Sequence, residues 1–221
     1  MVVRLKKITK QYNNKVILNG IDFQCGEGQI IAIKGKSGIG KSTLLNIVAG
    51  LERATSGDYF YQDTQMNNKS ISFLTNFRRM HIGYISQHSP MIPELTVMDN
   101  ICVPLWFEKN EDHKKQAMNH VKELGHLFEI DHLLNENVKT LSGGELQRAG
   151  IIRALINKPT LIIADEPTGA LDDETASIIL THFHALKSEG VTTILATHSE
   201  AISSQCDKIY TLNQDGLSLE R

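Results

Sequence analysis

The sequence predicts an α/β fold: a mixed sheet with flanking helices, an antiparallel β-subdomain, and an inserted α-helical subdomain. Three observations predict it. Short and almost wholly apolar runs at 29–34, 160–164 and 191–196 have the length and composition of strands buried on both faces. The first two are each followed by a turn and then a stretch of helical spacing, the rhythm of a parallel sheet. The segment 90–157 breaks that rhythm and reads as mostly helical. The 221 residues suit one domain with a subdomain, in which 1–89 and 158–221 form the core and 90–157 the helical insertion.

Composition narrows the function. A net charge of −2 with 22% charged and 41% hydrophobic residues is ordinary for a soluble globular protein and gives no support for nucleic acid as the main partner. No apolar run approaches the roughly 18 residues of a membrane span. Residues 1–7 alternate like a strand and lack the apolar core of a signal peptide. If the chain works at a membrane, another chain must supply the membrane part. Cys25, Cys102 and Cys206 are odd in number and far apart, without metal or disulfide spacing, and read as reduced cytoplasmic thiols.

In order, strands are expected at 2–8, 16–23 and 29–33, with Asn13-Asn14 turning between the first two. Tyr12, just before that turn, is either a hairpin aromatic packed on a neighbour or a binding residue. The third strand runs into Gly35-Lys36-Ser37-Gly38-Ile39-Gly40-Lys41-Ser42-Thr43, and an apolar helix, 44–51, follows. Strand, glycine loop and helix give G-x-x-x-x-G-K-[ST] its meaning. The glycines let backbone N–H groups wrap a polyphosphate, Lys41 reaches the β- and γ-phosphates, and the Ser42 hydroxyl can ligate Mg²⁺. Residues 52–86 read as short strands and turns, with Ser56-Gly57-Asp58 a turn and 82–86 a strand. Gln87 ends that strand, where a glutamine alone reads as a solvated loop residue.

Pro90, Pro93 and Pro104 make the start of the insertion irregular, and its Trp106 and Phe107 suit either a core or a docking surface. A helix is expected over 110–127, with Met118, Val121, Leu124 and Leu127 on its apolar side, and a short one over 128–135. Leu141-Ser142-Gly143-Gly144-Glu145 opens another helix, which Pro159 stops. Ser142 is its N-cap, Glu145 suits the first turn, and Gly143 and Gly144 admit another surface to bare backbone. This is a phosphate-competent helix start without a lysine. The strand 160–164 ends in Asp165-Glu166, carboxylates at the edge where an open α/β sheet binds ligands. One can hold Mg²⁺ while the next orients water. A helix then runs to about Ser188, with Gly190 as its cap. A strand follows and ends at Thr197-His198, and the tail adds a strand over 208–212 and a turn at Asp215-Gly216. His182 and His184, two apart on a helix, make a poor metal pair, and the other histidines lack ligand spacing.

These motifs, in this order and spacing, resemble the ATP-binding subunit of an ABC transporter along essentially the whole chain, which implies a P-loop NTPase core. The resemblance implies roles residue by residue. Tyr12 would stack on adenine, and Gly35 through Thr43, with Lys36, Ser37, Gly38, Ile39, Gly40, Lys41 and Ser42 between, would hold the ATP phosphates. Ser42, Gln87 and Asp165 would surround Mg²⁺. Glu166 would be the general base, and His198 would contact the γ-phosphate. Ser142, Gly143 and Gly144 would bind the γ-phosphate of ATP held by a second subunit, with Asp172 in the loop crossing that interface. Implied partners are a transmembrane permease and a second ATP-binding subunit, and the implied place is the cytoplasmic face of the membrane. The segments 45–51 and 167–172 are similar to the branch serving macrolide export, lipoprotein release and antimicrobial-peptide resistance, which suggests export. A regulatory ATPase that moves no cargo is the alternative, since the cell-division ATPase is also similar. Relatives that act on DNA or ribosomes carry coiled-coil insertions or paired cassettes, which this chain lacks. Lys36, Ile39, Glu145 and Val138 depart from the commonest forms without removing a catalytic group.

Overall fold

The computed structural model describes residues 1–221. Its centre is a six-stranded mixed sheet. In chain order the strands are β3 (Ile30–Lys34), β6 (Ile82–Ile85), β7 (Leu161–Asp165), β8 (Thr192–Ala196), β9 (Lys208–Asn213) and β10 (Gly216–Leu219); in space the order is β10-β9-β3-β8-β7-β6. All neighbours are parallel except the edge hairpin β9–β10. Every residue of β7 and β8 is buried, which is why those runs read as continuously apolar. A second sheet is antiparallel, ordered β2 (Lys15–Cys25), β1 (Val3–Tyr12), β4 (Ser56–Tyr61) and β5 (Thr64–Gln65).

Strand order does the positioning. β3, β8, β7 and β6 lie side by side, so the segments leaving their C-terminal ends meet at one edge of the sheet. Those segments carry the glycine loop after β3, His198 after β8, Glu166 after β7 and Gln87 after β6.

Alternate strand residues serve two separate cores. Ile31, Ile33, Leu161, Ile163 and Ile194 pack with Leu44, Leu45 and Val48 of helix α1 (Lys41–Val48) and with the antiparallel sheet. Ile30, Ala32, Ile162, Ala164 and Leu195 face the other way. Their partners include Val121 and Leu124 of α4 (Glu111–Leu127), Ile151 and Ile152 of α5 (Gly143–Leu155), and Ile179 and Phe183 of α6 (Asp173–Ser188). No helix is long and apolar enough to cross a membrane.

Several local expectations are corrected. Ser56-Gly57-Asp58 is the start of β4, not a turn. A register shift between Lys6 and Thr9 lets Gly57, at φ +91°, press against the Lys7 backbone, where a side chain would collide. Residues 71–81 form helix α2 (Ile71–His81), N-capped by the Ser70 hydroxyl accepting from Phe73 N–H. The stretch after Gln87 contains α3 (Val97–Cys102), capped by Thr96 and prolonged by a 3₁₀ turn through Pro104. The helix expected over 128–135 is a single 3₁₀ turn, Asp131–Leu133. Glu129 adopts φ +56° and Ile130 N–H returns to Gly125 O, so α4 closes at Leu127. A short α7 (Glu200–Ser203) and strand β10 were not foreseen. Trp106 and Phe107 are 55% and 81% exposed and thus outside either core.

Candidate functional site

A cleft of about 750 Å³ opens at the shared C-terminal edge of the parallel strands. The glycine loop forms one wall. Gly35 has φ +149° and Gly40 has φ +114°, and a Cβ on Gly35 would stand 2.6 Å from the Leu212 carbonyl. A side chain at Gly35 is therefore excluded both by the backbone conformation and by the strand behind it. Lys41 Nζ arches over the loop and donates to Gly35 O at 2.8 Å and Lys36 O at 3.3 Å. Gly40 supplies no side-chain cap to α1, so the first-turn N–H groups of that helix remain available to an anion. Gly35, Ser37, Gly38, Gly40, Lys41, Ser42 and Thr43 line the cleft, whereas Lys36 is exposed outside it and Ile39 packs toward the core.

The opposite wall carries the carboxylates. Asp165, the last residue of β7, is 8% exposed. Glu166 follows in the left-handed region at φ +50°, a conformation that costs a non-glycine residue about 1–3 kcal/mol unless its surroundings impose it. Here they do. Glu166 N–H donates to Ala196 O at 3.0 Å, and Gly169 N–H closes a turn onto Glu166 O at 3.2 Å. The result turns the side chain toward β8, and Glu166 Oε1 lies 2.9 Å from His198 Nδ1. The Glu166 side chain is 13% exposed and that of His198 is 78% exposed, so the carboxylate is shielded while the imidazole faces outward. Gln87 enters from the end of β6.

Tyr12 lines the far end of the cleft. Lys10 Nζ sits 4.7 Å from its ring centroid, and its hydroxyl donates to Glu52, which also pairs with Lys10 at 2.9 Å. Burial and the Glu52 carboxylate push the phenol above its usual range. A ring fastened at its hydroxyl and covered by a cation can present its remaining surface to a planar base.

The rest of the expected set lies apart from this cleft. Ser142 accepts from Glu145 N–H at 3.4 Å, and Glu145 Oε2 accepts from Ser142 N–H at 2.7 Å, a complete capping box. The Ser142 N–H and hydroxyl hold the Glu145 carboxyl below its ordinary range. A Cβ on Gly143 would meet nothing within 4 Å, and one on Gly144 would stand 3.5 Å from Ala170 O and Leu171 Cδ2. The start of α5 thus abuts the 170–171 loop with one backbone face open. Asp172 caps α6 and accepts from Thr175 N–H at 2.9 Å, which holds its carboxyl low. Ile17, His88, Gly169 and Ala170 also line the cleft. None of the four carries a site role in the sequence: His88 adjoins Gln87, Gly169 and Ala170 fall inside the 167–172 segment, and Ile17 has no local signal.

Ser42, Gln87 and Asp165 offer only oxygen and amide donors, with no thiol or imidazole among them. Such a hard set fits Mg²⁺.

Comparison with known proteins accords with this geometry. Residues 18–169 match the family model described as ABC transporter. The chain is 33% identical, over 99% of its length and 96% of the relative's, to the lipoprotein-releasing system ATP-binding protein LolD of Francisella tularensis subsp. holarctica. It is 34% identical over 97% of its length to the macrolide export ATP-binding/permease protein MacB of Pasteurella multocida, of which it spans 33%. Among solved structures, the dimeric post-hydrolysis state of the ATP-binding cassette MJ0796 bound to ADP and Pi superimposes with a TM-score of 0.89 at 32% identity. That match covers 99% of this chain and 97% of that one. The parallel sheet, the glycine loop at its edge and these relatives lead to one conclusion: the chain belongs to the ABC transporter family, as an ATP-binding and ATP-hydrolysing cassette.

Proposed function

We propose that this cassette hydrolyses ATP by in-line attack of water on the γ-phosphate, sandwiched head to tail with a second cassette, and powers an exporting permease at the inner face of the membrane. The observation that carries the reading is Glu166. It is forced into a left-handed backbone, shielded, and 2.9 Å from His198, in the same cleft as the Lys41 loop. Glu166 accepts the proton of the attacking water, and His198 steadies that water and the γ-phosphate. Lys41 and the loop N–H groups balance charge on the transferred phosphoryl. Ser42, Gln87 and Asp165 would hold Mg²⁺, which would supply charge neutralisation to the ATP phosphates. Tyr12 stacks on the adenine.

The second half of the site is the start of α5 in the partner cassette. Its open backbone at Ser142, Gly143 and Gly144 carries no lysine, so it suits closure over a nucleotide anchored elsewhere. Asp172 fixes the loop that crosses between cassettes. Residues 90–157 act as the moving helical unit. Within it, Asn100, fully buried, accepts from Ile92 N–H at 2.7 Å and donates to Ile92 O at 3.1 Å, which fixes the segment that leads to the exposed Trp106 and Phe107. That surface docks the permease. The relatives named for lipoprotein release and macrolide export support a cargo of the lipoprotein or antibiotic kind.

Gly143→Asp tests the sandwich. A side chain there meets nothing within 4 Å, and an acidic residue in a first turn favours the helix. The monomer should fold and bind ATP as the parent does, while ATP-dependent dimers and turnover are lost, because the added charge faces the γ-phosphate of the other cassette. Unchanged turnover would refute action across the interface.

A further inference from the structure

One side chain in α5 has no part in the scheme above, yet it is built into the fold more deliberately than its neighbours. Gln147 is 2% exposed, and the other buried residues of the helix are Ala149, Gly150, Ile151, Ile152 and Leu155. A leucine would suit that setting, and a buried amide costs about 1–3 kcal/mol unless its hydrogen bonds are met. Both ends of this amide are met, by two different segments. Its Nε2 donates to Pro167 O at 3.1 Å, and its Oε1 accepts from Ser89 Oγ at 3.2 Å. Since Pro167 O can only accept, the orientation of the amide is unambiguous.

The positions of the two partners matter. Pro167 adjoins Glu166, whose left-handed backbone depends on its surroundings. Ser89, itself only 3% exposed and at φ +39°, lies two residues beyond Gln87. The same helix grips the second segment twice more. A Cβ on Gly150 would collide with the Ser89 side chain, so the two elements touch there without slack, and Arg153 Nη1 donates to Pro90 O at 2.8 Å. Gln147 also stands just four residues beyond Gly143, on the turn that follows the open helix start.

We infer that Gln147 is a positioning residue that ties the Glu166 turn and the Gln87 loop of one cassette to its own α5, so that engagement of the α5 start with the other cassette's nucleotide sets the catalytic geometry of this one. A displacement of α5 carries Pro167 and Ser89 with it, because breaking either bond strands a buried polar group. Each cleft therefore reads the occupancy of the other through this amide, the one side chain that bonds both segments. The inference rests on the sandwich and on Glu166 as general base.

Gln147→Leu removes both bonds at nearly constant volume, and Gly150→Ala wedges the Ser89 contact apart without touching the amide. For each variant three quantities are measured with Mg-ATP: affinity of the monomer for a fluorescent ATP analogue, ATP-dependent dimerisation in a Glu166→Gln background, and the rate of phosphate release against ATP concentration. Monomer affinity should stay within about twofold and dimers should form, while kcat falls by on the order of tenfold or more, as expected for a displaced catalytic group. The Hill coefficient should fall to about 1, since the coupling between sites is cut. A kcat within about twofold of the parent in Gln147→Leu would overturn the inference. So would a kcat loss matched by an equal loss of monomer affinity, which marks a merely structural residue. Glu166→Gln alone is the reference: if it turns over normally, the general-base assignment fails, and if it is inactive while Gln147→Leu is normal, only the coupling fails.

Discussion

Glu166→Gln separates chemistry from architecture because it replaces one oxygen by an amide nitrogen and leaves everything that holds the residue in place. The φ of +50°, the Glu166 N–H to Ala196 O bond and the Gly169 turn are all backbone features that survive the change. The glutamine oxygen can still accept from His198 Nδ1–H across the same 2.9 Å. Folding stability should therefore change by less than about 1 kcal/mol, a shift of at most a few degrees in Tm. What is lost is the proton acceptor, and a positioned general base contributes about 10²–10⁴-fold, or roughly 3–5 kcal/mol of barrier. Phosphate release in a single turnover should fall by that factor. Size-exclusion chromatography with Mg-ATP should show a dimer that persists, because the bridging γ-phosphate is no longer removed. Turnover within about threefold of the parent would refute Glu166 as base. Loss of nucleotide binding in step with turnover would show instead that the residue shapes the cleft.

Three further outcomes follow from the geometry. Lys41→Ala should weaken ATP binding by the monomer about 10–100-fold in an equilibrium titration, the size of one charge-assisted contact, with little change in Tm, since its present partners are loop carbonyls that water can satisfy. The capping box of α5 makes an acid-limb prediction. The Glu145 carboxyl is held low in the folded state by Ser142, so the stability it contributes is present above the unfolded carboxylate's pKa and is lost as the pH falls through the lowered value. Glu145→Gln should flatten that part of the Tm–pH curve, and an unchanged slope would show that the box carries no charge-dependent stability. Ser142→Ala should cost about 0.5–2 kcal/mol at neutral pH.

The parts of the fold that were legible in the sequence are those whose surroundings are uniform. β7 and β8 are buried along their whole length, so a run of apolar residues was sufficient. The loop after β3 was legible because glycine, lysine and serine at fixed spacing have few other uses. Helix α2 was not, since only Leu74 and Phe77 of its residues are buried and its exposed Ile71 and Phe73 blur the period. Ser56–Asp58 misread as a turn because small polar residues mark turns and bulged strand starts alike. Within the site, Glu166 and His198 are 32 residues apart, and their contact depends on the order of β7 and β8, which no local pattern encodes. Ser142 was readable as a cap, and its spacing to Glu145 also encodes the reply, which reads at first only as an acid suited to the first turn. Asp172 could be placed in its loop only by resemblance, whereas its bonds to Thr175 show the local reason for an aspartate there.

The division of the central strands between two cores has a genetic consequence. Ile162 and Ile163 are adjacent, equally buried and chemically identical, yet one supports α4, α5 and α6 and the other supports α1 and the antiparallel sheet. Shaving either to alanine removes the same atoms, at about 2–5 kcal/mol. The phenotypes should nonetheless part: a lesion at Ile163 loosens the floor under the nucleotide, and one at Ile162 loosens the lobe that reaches for the neighbour. A suppressor of the first should then fall among residues of α1 or the β1–β2 hairpin, and a suppressor of the second among those of α4 to α6. The sheet behaves as a party wall, and damage on either side is repaired from that side.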